Sequence, residues 1–179
     1  MSPSKPLSHS QVITRSGLLT ALAILIPIIM PLKVVIGPAS YTLASHLPIF
    51  LAIFQTPFIA IVVAGGAALG FLLAGFPIPI VARALSHLLF ASIGAYYIQK
   101  HGHTFLKKPQ ARIFFSFWLN LIHGLAEMLV IYVLIQVGMT AATGGMWSFL
   151  VIFIGLGTVI HGMVDFELAF QLSQALKKA

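Results

Sequence analysis

The chain has 179 residues, of which 59% are hydrophobic and 7% charged, with a net charge of +7 and a mean hydropathy of +1.04. Soluble domains carry about 25% charged residues, so this composition excludes one and leaves a membrane protein without room for a soluble catalytic domain. There is no cysteine, which excludes disulfides, thiolate metal ligands and thiol nucleophiles.

In chain order, the first 17 residues, MSPSKPLSHSQVITRSG, are polar and lack the apolar core and cleavage site of a secretory signal, so the first helix is expected to stay in the mature protein. Helix 1 is expected over 12–30, with Pro27 and Pro31 bending or ending its outer part. A loop with a Gly37-Pro38 turn follows. The segment HLPIFLAIFQ, starting at His46, is too short to cross a bilayer core of about 30 Å, and reads as a short or steeply tilted helix 2. Helix 3, FIAIVVAGGAALGFLLAG, is rich in small residues that let neighbouring backbones approach. Phe76-Pro77-Ile78-Pro79 makes an outer turn, helix 4 covers about 80–99, and helix 5 about 112–137. After the Gly/Thr-rich loop GMTAATGGM, helix 6 runs from about Trp147 to Leu176.

All the cations but Lys33 and Arg83 collect in three flanks: Lys5 and Arg15 around the start of helix 1, Lys100, Lys107, Lys108 and Arg112 from the end of helix 4 to the start of helix 5, and Lys177 and Lys178 at the end. Six spans with both termini in the cytoplasm put all three flanks on the inner side, as the positive-inside rule requires. The basicity thus reports topology, and no nucleic-acid partner is implied. The fold class is an all-α integral membrane protein, one six-helix domain over 1–179, multi-pass in a cell membrane and in contact with lipid.

Polar residues recur inside the spans. Arg83 and His87 lie one turn apart on helix 4; Asn120, His123 and Glu127 share a face of helix 5; His161 and Asp165 share a face of helix 6, which also carries Glu167. Such groups face a bundle interior or a water-filled cavity. From their positions along the helices, Arg83, His87, Asn120, His123 and Glu127 are expected to converge with Tyr41, His46 and Trp147 on an outward-opening pocket. His161 and Asp165 are expected deeper, toward the cytoplasm. Blander readings stand beside this one: an Arg83–Glu127 packing pair, satisfied bundle histidines at 87 or 123, Trp147 as an interfacial aromatic, and Asp165 and Glu167 as anchors near the inner surface.

No HExxH, Gly-x-Ser-x-Gly or P-loop occurs, so no enzyme activity is expected, and no ATP hydrolysis by a P-loop. Two rivals of another class remain. One is b-type haem held by axial imidazoles from His87, His123 and His161. The other, weaker, is a transition-metal carrier using His123, Glu127, His161 and Asp165.

The stretch LASHLPIFLAIFQTPFIAIVVAGGAALGFLLAGFPI resembles helices 2 and 3 of the S components of energy-coupling factor (ECF) transporters: a short Ile-Pro helix, a proline turn, then a Gly/Ala-rich helix. Length, helix count and cytoplasmic termini match that family over the whole chain, although its motifs are loose. In SGLLTALA, Gly17 and Ala21 resemble the family's Ala-xxx-Ala surface that docks on the coupling protein, with Gly in place of the first Ala. Ser16, Thr20 and Ala23 leave that register open. The resemblance implies a substrate-binding subunit for a water-soluble vitamin, without cofactor or metal. It would work with a transmembrane coupling protein and two cytoplasmic ATPases, and its pocket would form in the outer halves of helices 4 to 6, closed by the loop between helices 1 and 2. A buried Arg favours a carboxylate. Pantothenate comes first, because Asn120 and His87 suit its hydroxyls and amide. Niacin comes second, because Trp147 and Tyr41 suit its ring. Hydroxymethylpyrimidine or pyridoxine comes third, through Glu127.

Overall fold

A computed structural model describes residues 7–37 and 39–177; Lys5, Pro38 and Lys178 of the sequence reading lie outside them. Six helices and one hairpin appear in the order α1 (His9–Ile29), β1 (Lys33–Ile36), β2 (Ala39–Thr42), α2 (Leu47–Ile53), α3 (Pro57–Leu73), α4 (Ile78–His101), α5 (Pro109–Gln136) and α6 (Met146–Ala175). A single 3₁₀ turn, Thr104–Lys107, links α4 to α5. Four helices, α1, α4, α5 and α6, are long and apolar enough to cross a membrane; α3 is a shorter apolar helix and α2 has seven residues.

Local chemistry sets the helix starts. Ser8 and Gln11 form a reciprocal capping box that begins α1 three residues before the expected Val12. Thr56 accepts from the Ile59 N–H, and Pro57 sits at the first turn of α3, where no amide is needed. Pro109 likewise starts α5 inside the loop that the sequence assigned to the cytoplasm. Pro27 lies within α1, which continues to Ile29.

The loop after α1 departs from expectation, because it folds as an antiparallel hairpin pairing Lys33 with Thr42, Val34 with Tyr41, Val35 with Ser40 and Ile36 with Ala39. Its β-branched run Val34-Val35-Ile36 and the flanking Tyr41 and Thr42 suit a strand more than a coil. Alternation then divides the hairpin's work between its faces. Ala39, Ile36 and Tyr41 pack with Ile131, Phe149, Leu150 and Ile154 of α5 and α6, while Lys33, Val35, Ser40 and Thr42 face a cavity on the other side.

The main core joins α2, the inner faces of α1, α3 and α4, and Phe166, Ala169 and Phe170 of α6. The outer faces are apolar as well: Leu18, Leu25, Leu69, Leu73, Leu89, Phe114, Leu129 and Ile160 are all exposed, the distribution a lipid-facing surface requires. Toward one end of the bundle, Arg112 grips Glu167 through Nε at 2.8 Å and Nη2 at 3.2 Å, and lies over the Phe170 ring.

α5 and α6 meet closely, and Gly162 is what permits it. A Cβ there would land on the Asn120 side-chain amide. Replacing Gly162 by Leu should therefore overpack the interface and cost roughly 1–3 kcal/mol, read as a lower thermal midpoint in detergent. An unchanged midpoint would contradict this packing.

Candidate functional site

The site is organised around one carboxylate. Glu127, on the inner face of α5, is 1% exposed. Its Oε2 accepts from Arg83 Nη2 at 2.9 Å and from the Thr158 hydroxyl at 2.6 Å. Its Oε1 faces His87 Nε2 at 3.3 Å and His123 Nε2 at 3.4 Å. The spacing of 83 and 87 on α4, of 120, 123 and 127 on α5, and of 158, 161 and 165 on α6 turns each set inward.

A second carboxylate holds the entry to α2. Asp165, fully buried, accepts from the Ala44 N–H at 2.8 Å and from the His46 N–H at 2.9 Å. His46 Nδ1 stands 3.2 Å from Asp165 Oδ2 and His161 Nε2 3.4 Å from it. Ala44 has φ +64, a left-handed conformation unfavourable for a residue with a Cβ, and the Asp165 bond to its amide helps to hold it there. Asp165 is thus a clamp on the segment between β2 and α2.

His46 joins the two groups. Its ring centroid lies 4.8 Å from those of His87 and His123 and 5.1 Å from that of His161. This corrects the depth expected for His161 and Asp165, which belong to the same cluster as His46. Two features bring them level: the hairpin descends into the bundle before α2 begins, and Phe149–Leu156 of α6 is wound as a π-helix, with more residues per turn. The contacting imidazoles leave no slot for a planar macrocycle between axial ligands, so the geometry does not fit haem.

Beside the cluster lies a cavity of about 260 Å³, smaller than the usual range for drug-sized ligands. Arg83, His87, His46 and Glu127 form its polar end, and Lys33, Ser40, Thr42 and Ser45 line the hairpin side. Phe71, Phe76, Pro77 and Ile80 make an apolar wall, with the two phenyl rings stacked at 4.8 Å. The walls come mainly from α1, the hairpin, α3 and α4, in contrast to the helices 4 to 6 that the resemblance implied. The inward hairpin face explains the difference: Tyr41 and its neighbours fill the space against α5 and α6.

Of the other residues singled out from sequence, Tyr41 packs edge-on to His161, with Arg83 6.0 Å from its ring centre. Asn120 is buried beneath the cluster and donates to the Ser116 carbonyl at 2.9 Å, and His123 is wholly buried behind His46. Trp147 is 63% exposed and stacks on Tyr132, away from the cavity. Thr158, Phe71 and Phe76 were missed. Thr158 was detectable, since it precedes His161 by three residues on the same face. On α1, Gly17 and Ala21 are exposed, whereas Ser16 and Ala23 are buried and Thr20 packs toward Gly66.

The chain is 40% identical over 165 residues to the niacin transporter NiaX of Lactococcus lactis subsp. cremoris (strain MG1363), a match spanning 92% of this chain and 73% of that protein. The chain belongs to the NiaX family. With its four membrane-length apolar helices, it is a multi-pass protein of the cell membrane. No protein-family model and no solved structure matches it.

Within this family member, the Arg83–Glu127 pair carries a clear energetic signature. Removing one partner of a buried pair strands the other and typically costs about 3–5 kcal/mol, whereas replacing both is far milder. Arg83→Leu should therefore lower the thermal midpoint more than the double variant Arg83→Leu/Glu127→Leu. The reverse order would show that the pair is not coupled in the folded protein.

Tyr41 supplies a pH signature. Burial pushes its phenol up to about 12, against the opposing pull of Arg83 and with a smaller push from Glu127. Between the ordinary value of 10.0 and about 12 the unfolded chain releases this proton and the folded one keeps it. Stability is then full below pH 10 and declines as pH rises through that window. Tyr41→Phe should flatten the decline measured by alkaline denaturation.

Proposed function

We propose that this protein is the substrate-binding S component of an ECF transporter and that its solute is niacin, bound as the nicotinate anion. The carrying observation is the 40% identity to a niacin transporter over nearly the whole chain, joined to a buried arginine at the polar end of a small cavity that two stacked phenyl rings help to wall. Pantothenate, the solute placed first from sequence, has no support from that relationship. Niacin, placed second, does.

The geometry gives each group a role. The carboxylate of nicotinate accepts hydrogen bonds from the Arg83 guanidinium, whose forked donors suit a planar anion. Glu127 holds that guanidinium in place from behind, and Thr158 fixes Glu127. The ring lies against Phe71, Phe76 and Ile80, while Thr42, Ser45 and His46 offer polar groups toward its nitrogen. The Lys33 side chain, on the exposed hairpin strand, adds positive potential at the mouth. The hairpin serves as the lid: its inward face is anchored on α5 and α6, its other face closes the cavity, and Asp165 clamps its base.

The chain binds its solute but hydrolyses no ATP. Uptake depends on a transmembrane coupling protein and two cytoplasmic ATPases, with both termini of this subunit on the cytoplasmic side as the basic flanks indicate. The exposed Gly17/Ala21 face of α1 is the docking surface for the coupling protein, since small residues there permit close helix approach.

Calorimetric titration of the purified protein tests the solute directly. Nicotinate should bind with one-to-one stoichiometry and pantothenate should not; tight pantothenate binding would overturn the assignment. Arg83→Lys keeps the charge but loses the fork, and should weaken nicotinate binding about 10- to 100-fold. In cells carrying the full transporter, Ala21→Leu should abolish nicotinate uptake while leaving binding by the purified subunit intact. Loss of binding would place Ala21 in the fold of the site instead.

A further inference from the structure

We propose that His46, His87, His123 and Glu127 form a binding site for a divalent transition metal of the zinc class at the inner end of the cavity. One nitrogen from each imidazole and one carboxylate oxygen lie within 4.8 Å of one another, and all four residues are buried. Three imidazoles and a carboxylate are a donor set suited to zinc or cobalt.

Two of the ligand-to-ligand distances match the edges of a coordination shell, one of them also being a long hydrogen bond between His87 and Glu127. Glu127 Oε1 lies 3.3 Å from His87 Nε2 and 3.4 Å from His123 Nε2, beyond the usual span of about 2.7–3.2 Å for an N–H···O bond. A tetrahedral ion with ligand bonds of about 2.0–2.1 Å has ligand-to-ligand edges of about 3.3–3.4 Å. His123 is fully buried, yet neither of its ring nitrogens has a hydrogen-bond partner among the described residues. Such a group is costly unless something not yet counted satisfies it.

The surroundings are those of a ligand shell. The His46 Nδ1–H is within reach of Asp165 Oδ2 at 3.2 Å, an arrangement that fixes the tautomer and leaves Nε2 as the donor to a metal. Glu127 divides its oxygens, Oε2 toward Arg83 and Thr158 and Oε1 toward the imidazoles. His46, His87 and Glu127 also line the cavity, so the ion would be reachable from it.

Charge gives the ion a task. The buried cluster sets one guanidinium against two carboxylates, Glu127 and Asp165, before any imidazole is protonated. An anionic solute entering that cluster meets net negative charge, and a divalent cation reverses the sign. This role rests on the nicotinate reading; the metal site itself does not.

The test uses the full chain, purified in detergent and stripped with a strong chelator, then titrated with Co²⁺. One equivalent should bind with the visible bands of a tetrahedral ion and be displaced by Zn²⁺. X-ray absorption on the Zn²⁺-loaded wild type should show nitrogen and oxygen ligands at about 2.0–2.1 Å with imidazole scattering. Asp165→Asn should weaken the metal about 10- to 100-fold. His123→Ala should abolish stoichiometric binding, and His101→Ala, at the exposed end of α4, should leave it unchanged. No bound metal in the wild type, or metal retained equally by a folded His123→Ala protein, overturns the site. Nicotinate affinity should rise at least tenfold with Zn²⁺ bound. An unchanged affinity overturns the charge role alone, and metal binding without any nicotinate binding overturns the solute assignment alone.

Discussion

The position of Glu127 is the constraint on which the rest of the site depends. A carboxylate that is 1% exposed in a membrane bundle is tolerated only with strong compensation. Here the compensation comes from α4 through Arg83 and His87 and from α6 through Thr158, with His123 of α5 standing 3.4 Å away. Three helices are therefore held in mutual register by one anion. The same arrangement answers why α4 carries a permanent cation: Arg83 sits within the bundle and never has to meet hydrocarbon.

The second carboxylate extends this logic to the hairpin proposed as the lid. Asp165 binds backbone amides on both sides of Ser45, which fixes where the hairpin ends and α2 begins. Because His46 meets Asp165 and packs against His87 and His123 beside Glu127, movement of the hairpin and rearrangement of the polar cluster are mechanically linked. A solute that orders the cluster would thereby bias the lid toward closure, the coupling between binding and shape that a transport subunit requires. Gly157 contributes to the same joint, since a Cβ there would collide with the Tyr41 hydroxyl.

Much of this was legible in the sequence because helical periodicity is a strong signal in an apolar background. The i, i+4 pairs 83/87, 123/127 and 161/165 stood out against their spans and fell on inward faces. Depth was less legible: residue counting assumes a regular rise, and the π-wound stretch in α6 and the descending hairpin both break that assumption. The hairpin itself was hidden because four-residue strands carry little periodic signal. Trp147 drew attention as an aromatic near the outer end of α6, yet it stacks on Tyr132 and stays exposed. The choice among carboxylate vitamins was beyond residue types alone, since a buried arginine suits the group that they share.

If Arg83, held by Glu127, reads the carboxylate of a small aromatic anion as proposed, the ring alone should not suffice for binding. The most direct measurement is displacement of labelled nicotinate from the purified wild-type protein by nicotinamide, which keeps the ring and its nitrogen but lacks the charge. Nicotinamide should compete at least about 100-fold more weakly than unlabelled nicotinate, because it leaves a built anion site unmatched. Equal competition by the two would contradict that role for Arg83.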